Sequence, residues 1–135
     1  MVKLIIGIKG TGKTKTMIKM VDEALERTSG DVVVLEKGEK LRFDIKYQAR
    51  LVNTDEYYIN DAQSLYGFVA GILASNHDVT DLFIDTTLRI CGNDVAAFEK
   101  MVEEIDILTV KKDVNIVMTA SIDENEASAV IKKYV

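Results

Sequence analysis

The feature that most constrains this chain is a glycine-rich segment near its start, Gly7-Ile8-Lys9-Gly10-Thr11-Gly12-Lys13-Thr14. A short apolar run rich in β-branched residues comes directly before it and ends at Ile6. After it, apolar residues recur at helical spacing, at Met17, Met20, Val21, Ala24 and Leu25. We therefore expect a strand, a tight glycine loop and a helix in direct succession, with the helix over about 13–27.

The order of residues in this segment is that of a phosphate-binding loop, a glycine and four variable residues followed by Gly-Lys-Thr. Glycines let the backbone curl so that successive N–H groups point at one phosphate, and the helix start adds a partial positive charge. Lys13 is expected between the β- and γ-phosphates as a catalytic lysine, and the Thr14 hydroxyl is expected to ligate Mg²⁺. The predicted nucleotide-binding residues are Gly7, Ile8, Lys9, Gly10, Thr11, Gly12, Lys13, Thr14 and Lys15.

The charge distribution supports a bound polyanion at this loop. Residues 1–20 contain five lysines and no acidic residue, a charge of +5, so the remaining residues carry −10 to give the net charge of −5. Lys13 and Lys15 fall in the first helical turn, where a cation opposes the helix dipole at a cost of roughly 0.3–1 kcal/mol each. The acidic remainder argues against nucleic acid or an anionic membrane as the main partner.

Length and composition predict one domain that spans residues 1–135 and has a single core. Cys91 is the only cysteine, so neither an intrachain disulfide nor a cysteine-based zinc site is expected. The first apolar run is interrupted by Gly7 and Lys9 and is too short for a secretion signal. No apolar run approaches the ~18 residues of a membrane span. These observations predict a cytoplasmic protein.

The rest of the chain alternates between apolar strands and amphipathic helices. Strands are predicted at 32–35, 41–47, 50–53, 82–85 and 114–121, and helices at 61–75 and 93–110. Asp61 is the predicted N-cap of the first of these helices. The alternation of apolar and charged residues predicts a small antiparallel hairpin near 41–54. Together these elements predict a three-layer α/β/α fold with a mainly parallel sheet.

Asp85 is a second position that carries chemistry, because it ends the apolar run Leu82-Phe83-Ile84. The carboxyl ends of parallel strands meet at one edge of the sheet, and ligands bind there. An apolar strand that ends in Asp after a helical segment is the Walker B arrangement, in which the carboxylate binds Mg²⁺ through the water shell of the ion. We therefore predict Thr14 and Asp85 as the metal-binding residues, with ATP and Mg²⁺ as the ligands.

These motifs resemble the P-loop NTPase superfamily, and within it the RecA-like, additional-strand branch. As a pattern of elements the resemblance covers nearly the whole chain, with Gly7–Thr14 matching the Walker A loop and Asp85 the Walker B aspartate. It implies a minimal, single-domain P-loop NTPase fold.

The resemblance also implies roles for residues outside the two Walker motifs. In RecA-like ATPases the glutamate that polarises the attacking water often ends the strand after the first helix, and Glu36 stands at that place. The other usual location, directly after the Walker B aspartate, holds Thr86. For the polar sensor at the end of a later strand, the matching residues are Thr119 and Ser121.

Three uses of the nucleotide remain open. The first is a Mg²⁺-dependent ATPase or ATP-driven switch, with Glu36 as general base and a transition-state arginine from Arg89 or from a protein partner or second copy. The second is a small-molecule or nucleoside kinase, with the acceptor held by the segment 40–60, which contains Arg42, Arg50, Tyr57 and Tyr58. The third is a non-catalytic nucleotide sensor, which is favoured by the absence of a glutamate directly after Asp85. ATP rather than GTP is assumed, because no Asn-Lys-x-Asp motif occurs.

Overall fold

The centre of the fold is a sheet of five parallel strands, seen in a computed structural model that describes all of residues 1–135. The strands are β1 (Val2–Gly7), β2 (Asp31–Glu36), β3 (Arg50–Asn53), β4 (Val79–Ile84) and β5 (Asn115–Ser121). Their order across the sheet is β1-β5-β4-β2-β3, and every neighbouring pair is parallel. All five carboxyl ends therefore lie at one edge of the sheet.

Five helices connect and flank these strands. They are α1 (Lys13–Arg27), α2 (Ala62–Ser75), α3 (Thr87–Ile90), α4 (Val95–Lys112) and α5 (Ala129–Lys132). Asp61 caps α2 as predicted, because its carboxylate accepts a hydrogen bond from the Ser64 backbone N–H. Asp94 caps α4 in the same way through the Ala97 N–H, so that this helix begins two residues later than expected. None of the helices is both long and apolar enough to cross a membrane.

Helices cover both faces of the sheet. The larger core packs α2 and α4 against one face, where Leu35, Ile84 and Met118 are fully buried. The smaller core packs α1 and the turn after β2 against the other face, where Val34, Phe83 and Val117 lie. Strands buried on both faces are apolar along their whole length rather than alternating, which explains the continuous apolar runs in the sequence. The predicted α/β class with a parallel sheet is confirmed.

The antiparallel hairpin predicted near 41–54 is wrong. Residues 41–44 form a turn in which the Ile45 N–H donates to the Leu41 carbonyl, and β3 runs parallel to β2. Leu41 and Ile45 are buried in the smaller core, whereas Phe43 and Tyr47 are 87% and 92% exposed. Leu41 and Ile45 lie four residues apart and face the core, as in one turn of a helix, whereas Phe43 and Tyr47 face solvent. Successive apolar residues are nevertheless two positions apart, and this spacing suggested a strand.

The chain after β5 covers the outer edge of β1. Ile122 forms an antiparallel bridge with Gly7, and the Tyr134 carbonyl accepts a hydrogen bond of 2.8 Å from the Leu4 N–H. Ala127, Ile131 and Tyr134 are buried in the larger core. The C-terminal segment therefore crosses the end of β1 beside the glycine loop.

Candidate functional site

The glycine loop connects β1 to α1 at the carboxyl edge of the sheet. Gly10 and Gly12 have φ angles of 86° and 84°, in the left-handed region that side chains disfavour. Gly12 is the N-cap residue of α1, which has no side-chain cap and no acidic residue in its first turn. The first N–H groups of α1 therefore remain available to an external acceptor, as an anion site at a helix start requires.

Lys13 folds back over the loop. Its Nζ donates to the Ile8 carbonyl at 2.9 Å, and the same carbonyl accepts from the Thr11 hydroxyl at 2.8 Å. The hydrogen bond of Lys13 is exposed to solvent and joins a charged donor to a neutral acceptor. A phosphate oxygen, which carries negative charge, is a stronger acceptor than this carbonyl and would compete for the ammonium group.

Thr14 and Asp85 meet although they are 71 residues apart. The Thr14 hydroxyl donates to both carboxylate oxygens of Asp85, at 3.1 Å to Oδ1 and 3.2 Å to Oδ2. The Asp85 side chain is buried, with 6% of the residue exposed. The structure thus brings together the two residues predicted to bind the metal. Both present oxygen atoms, the ligand type that Mg²⁺ prefers.

Thr119 holds the Asp85 carboxylate from the neighbouring strand. Its hydroxyl donates to Asp85 Oδ1 at 2.6 Å and accepts from the Thr86 backbone N–H at 2.8 Å. Thr86 has a φ angle of 52°, which is uncommon for a β-branched residue. One buried hydroxyl therefore orients the carboxylate and fixes the turn that follows β4.

A cavity of about 420 Å³ opens over the loop beside these residues. No apolar side chain lines it, and three of its lining residues are lysines. Its lining residues are Lys9, Gly10, Gly12, Lys13, Thr14, Lys15, Thr86, Thr119 and Ser121. We call this space the phosphate cavity, because its polar, cationic lining is complementary to an anion.

Glu36 lies next to Asp85 in the sheet but does not line the phosphate cavity. Leu35 pairs with Ile84, so Glu36 ends β2 and Asp85 directly follows the adjacent strand β4. The buried Glu36 carboxylate instead accepts hydrogen bonds from the Lys40 and Leu41 N–H groups, both at 3.0 Å. Burial raises the pKa of Glu36, and the negative charge of Asp85 adds to this effect, while the two backbone hydrogen bonds partly oppose it.

Two further predicted groups lie away from the phosphate cavity. Arg42 and Arg50 line a separate cavity of about 240 Å³, which also contains Glu36. Arg89 is exposed on α3 and is not among the residues that line the phosphate cavity. The structure therefore does not bring any arginine of this chain to the glycine loop.

Two charged features were not predicted from the sequence. Asp81 is buried at the opposite end of β4, where it forms an ion pair of 2.7 Å with Arg27 at the end of α1. An acidic residue inside an apolar strand was the available signal, since a buried charge needs a partner. Asp123, Glu124 and Asn125 lie beside the glycine loop, and only the tertiary path of the C-terminal segment brings them there.

No protein-family model matches the chain, and no curated protein shows significant sequence similarity to it.

Proposed function

We propose that this chain binds a nucleoside triphosphate, assumed to be ATP, together with Mg²⁺ in the phosphate cavity. The observation that carries the proposal is the Thr14–Asp85 pair, whose oxygens lie 3.1 Å apart at the start of α1. A hydroxyl and a carboxylate from two distant elements meet directly beside the cationic glycine loop. That combination of an anion site with a hard-oxygen pair fits a magnesium-bound polyphosphate.

The residues present fit both ligands. Mg²⁺ usually keeps several waters and is bound through one or two carboxylates plus phosphate oxygens, so that no larger protein cluster is required. No group of three or more His, Cys, Asp or Glu side chains suited to a metal occurs in the structure. Thr14 would hold the ion directly, and Asp85 would hold its water shell. Lys13 and the first N–H groups of α1 would hold the phosphates.

The topology also agrees with the proposed P-loop NTPase fold. Strand β5 lies between β1, which leads into the glycine loop, and β4, which leads into Asp85. A strand inserted at this place is what the resemblance to the additional-strand branch implies. It also places Thr119 of β5 between the loop and Asp85, where its hydroxyl orients the carboxylate.

We propose an ATP-driven switch with slow hydrolysis as the use of the nucleotide. Bound Mg²⁺ would neutralise charge on the β- and γ-phosphates. Lys13 would exchange the Ile8 carbonyl for a phosphate oxygen. Glu36, the predicted base, is held by two backbone N–H groups outside the phosphate cavity, so it would reach a water there only after its turn moves. A kinase, with its acceptor in the separate 240 Å³ cavity beside Glu36, is the alternative.

Calorimetry with Mg²⁺·ATP on the native chain and on Lys13→Ala tests the proposal. Loss of one charged hydrogen-bond donor is expected to weaken binding about 10- to 100-fold. Lys19→Ala is the matched control, because Lys19 is an exposed lysine on the same helix that does not line the phosphate cavity. Repeating the titration with GTP and with diphosphates measures the nucleotide preference. Equal affinity of native and Lys13→Ala protein would overturn the proposal.

A further inference from the structure

A second cavity, of about 450 Å³, lies on the other side of the glycine loop and differs in character from the phosphate cavity. Isoleucines of the edge strand and the loop line one part of it, and polar residues after β5 line another. The lining includes Ile5, Ile6, Ile8, Lys13, Asp123 and Glu124. We call this space the outer cavity.

The path of the chain after β5 builds this cavity. The bridge between Ile122 and Gly7 carries the chain across the end of β1. Asp123 then accepts a hydrogen bond from the Asn125 N–H at 2.9 Å, which fixes the turn beside the loop. The polar residues of this turn and the isoleucines of β1 thereby line the same cavity.

The outer cavity and the phosphate cavity share Lys13. A triphosphate whose terminal end lies at Thr14 and Asp85 would pass Lys13 and continue toward the outer cavity. The charges oppose the reverse orientation, because three lysines and no acidic residue line the phosphate cavity, whereas two acidic residues and Lys13 line the outer one. We infer that the nucleoside part of the nucleotide binds in the outer cavity. This inference rests on the proposed function.

The chemistry of the outer cavity suits a nucleobase that carries an amino group. A base has apolar faces, which suit contact with the isoleucines, and a polar edge, which suits contact with the turn after β5. Ionised Asp123 and Glu124 are hydrogen-bond acceptors only, so they favour a base edge that presents N–H donors. Adenine, guanine and cytosine carry an exocyclic amino group. Each base edge loses N–H donors when this group is removed, as in ITP compared with GTP, or is replaced by an oxo group beside one ring N–H, as in ITP compared with ATP and UTP compared with CTP. The geometry thus assigns to these residues the selection of amino-bearing bases.

The test compares nucleotides that differ in one amino group, on the native chain and on the double variant Asp123→Asn/Glu124→Gln. The matched pairs are ATP with ITP, GTP with ITP, and CTP with UTP, each titrated calorimetrically with Mg²⁺. We expect the native chain to bind at least one amino-bearing member about tenfold more tightly, and the double variant to lose that preference. Asparagine keeps the side-chain oxygen that holds the Asn125 N–H. Glu126→Gln, on the same turn but outside the cavity, is the control and should keep the preference.

Mg²⁺·tripolyphosphate separates failure of this inference from failure of the proposed function. It tests the phosphate cavity alone and should bind the native chain and lose affinity in Lys13→Ala. If it does so while the native chain binds every pair equally, or the double variant keeps the preference, the assignment of the nucleoside is wrong and the proposed function stands. If neither tripolyphosphate nor any nucleotide binds, the proposed function itself fails.

Discussion

At the scale of single residues, the Asp85 carboxylate depends on its neighbours for its orientation. Two hydroxyls donate to it, that of Thr14 on α1 and that of Thr119 on β5. In the proposed complex the Thr14 hydroxyl turns to Mg²⁺, which leaves Thr119 as the side chain that holds Asp85 in place. Side chains that hydrogen-bond to a metal ligand commonly affect metal affinity nearly as strongly as the ligands themselves do.

Replacing Thr119 with valine keeps the shape of the side chain and removes the hydroxyl. The Thr86 N–H loses its hydrogen-bond acceptor and Asp85 loses a donor, so the free energy of unfolding should fall by about 1–3 kcal/mol. Thr119→Ser keeps the hydroxyl and loses one methyl group, at a cost of about 1 kcal/mol or less. Urea unfolding of both variants measures the difference. A valine variant as stable as the serine variant would contradict this role for the hydroxyl.

At the scale of elements, the turn after β2 depends on Glu36. The carboxylate accepts the N–H groups of Lys40 and Leu41, and Leu41 anchors the turn in the smaller core. These hydrogen bonds hold a carboxylate that does not line the phosphate cavity, so the stability of the turn bears on whether Glu36 acts as a base. The turn would have to open for the carboxylate to reach a bound water.

Glu36→Gln should change stability in a pH-dependent way. The pKa of Glu36 is raised above its ordinary value of 4.5, chiefly by burial. The folded state therefore favours the protonated acid, and the stability contributed by protonation is present below pH 4.5 and is lost as the pH rises through the raised pKa. The glutamine variant has no such loss, so its stability relative to the native chain should increase with pH over that interval. Urea unfolding at several pH values checks this.

Glu104→Gln is the control, since Glu104 is an exposed glutamate whose charge is not among those that raise the pKa of Glu36. It should show no comparable change with pH relative to the native chain. The opposite trend for Glu36→Gln, with the native chain gaining stability as the pH rises, would show that the hydrogen bonds to the carboxylate outweigh its burial. The same variant also tests the base role, because native-rate ATP hydrolysis by Glu36→Gln would exclude it.

Elements set by local patterns were predictable from the sequence, and those set by tertiary contacts were not. The glycine loop, its flanking strand and helix, and the Asp61 cap depend on residues close in sequence, and the structure has all of them. The turn over Leu41 and Ile45 depends on a core formed with α1, so its apolar alternation suggested a strand. The outer cavity depends on the bridge from Ile122 to Gly7, which joins two segments that no local pattern relates.

At the scale of the whole molecule, the candidate site is formed by two segments that follow different strands of the sheet. The glycine loop follows β1 at one edge, and Asp85 follows β4 two strand positions away, with β5 between them. A ligand that contacts both would link the edge strand to the centre of the sheet. Anything that binds only the folded state stabilises it, by about 2.7 kcal/mol at a ligand concentration of a hundred times Kd. The proposed ligand should therefore raise the melting temperature, in a manner that depends on Mg²⁺.

The variant Asp85→Asn distinguishes the contribution of Mg²⁺ to nucleotide binding from the contribution of the phosphates. In the native chain, Mg²⁺ should strengthen ATP binding and raise the melting temperature above that with ATP and EDTA. The variant keeps a side chain of the same shape without its charge, so it should lose about 10- to 100-fold of the Mg²⁺-dependent affinity. Its affinity for ATP in EDTA should be unchanged or higher, because one negative charge near the phosphates is gone. Asp44→Asn, the same change at an exposed residue, serves as the control. An equal effect of Mg²⁺ on native and Asp85→Asn protein would remove Asp85 from the metal site while leaving the phosphate-binding role of Lys13 untouched.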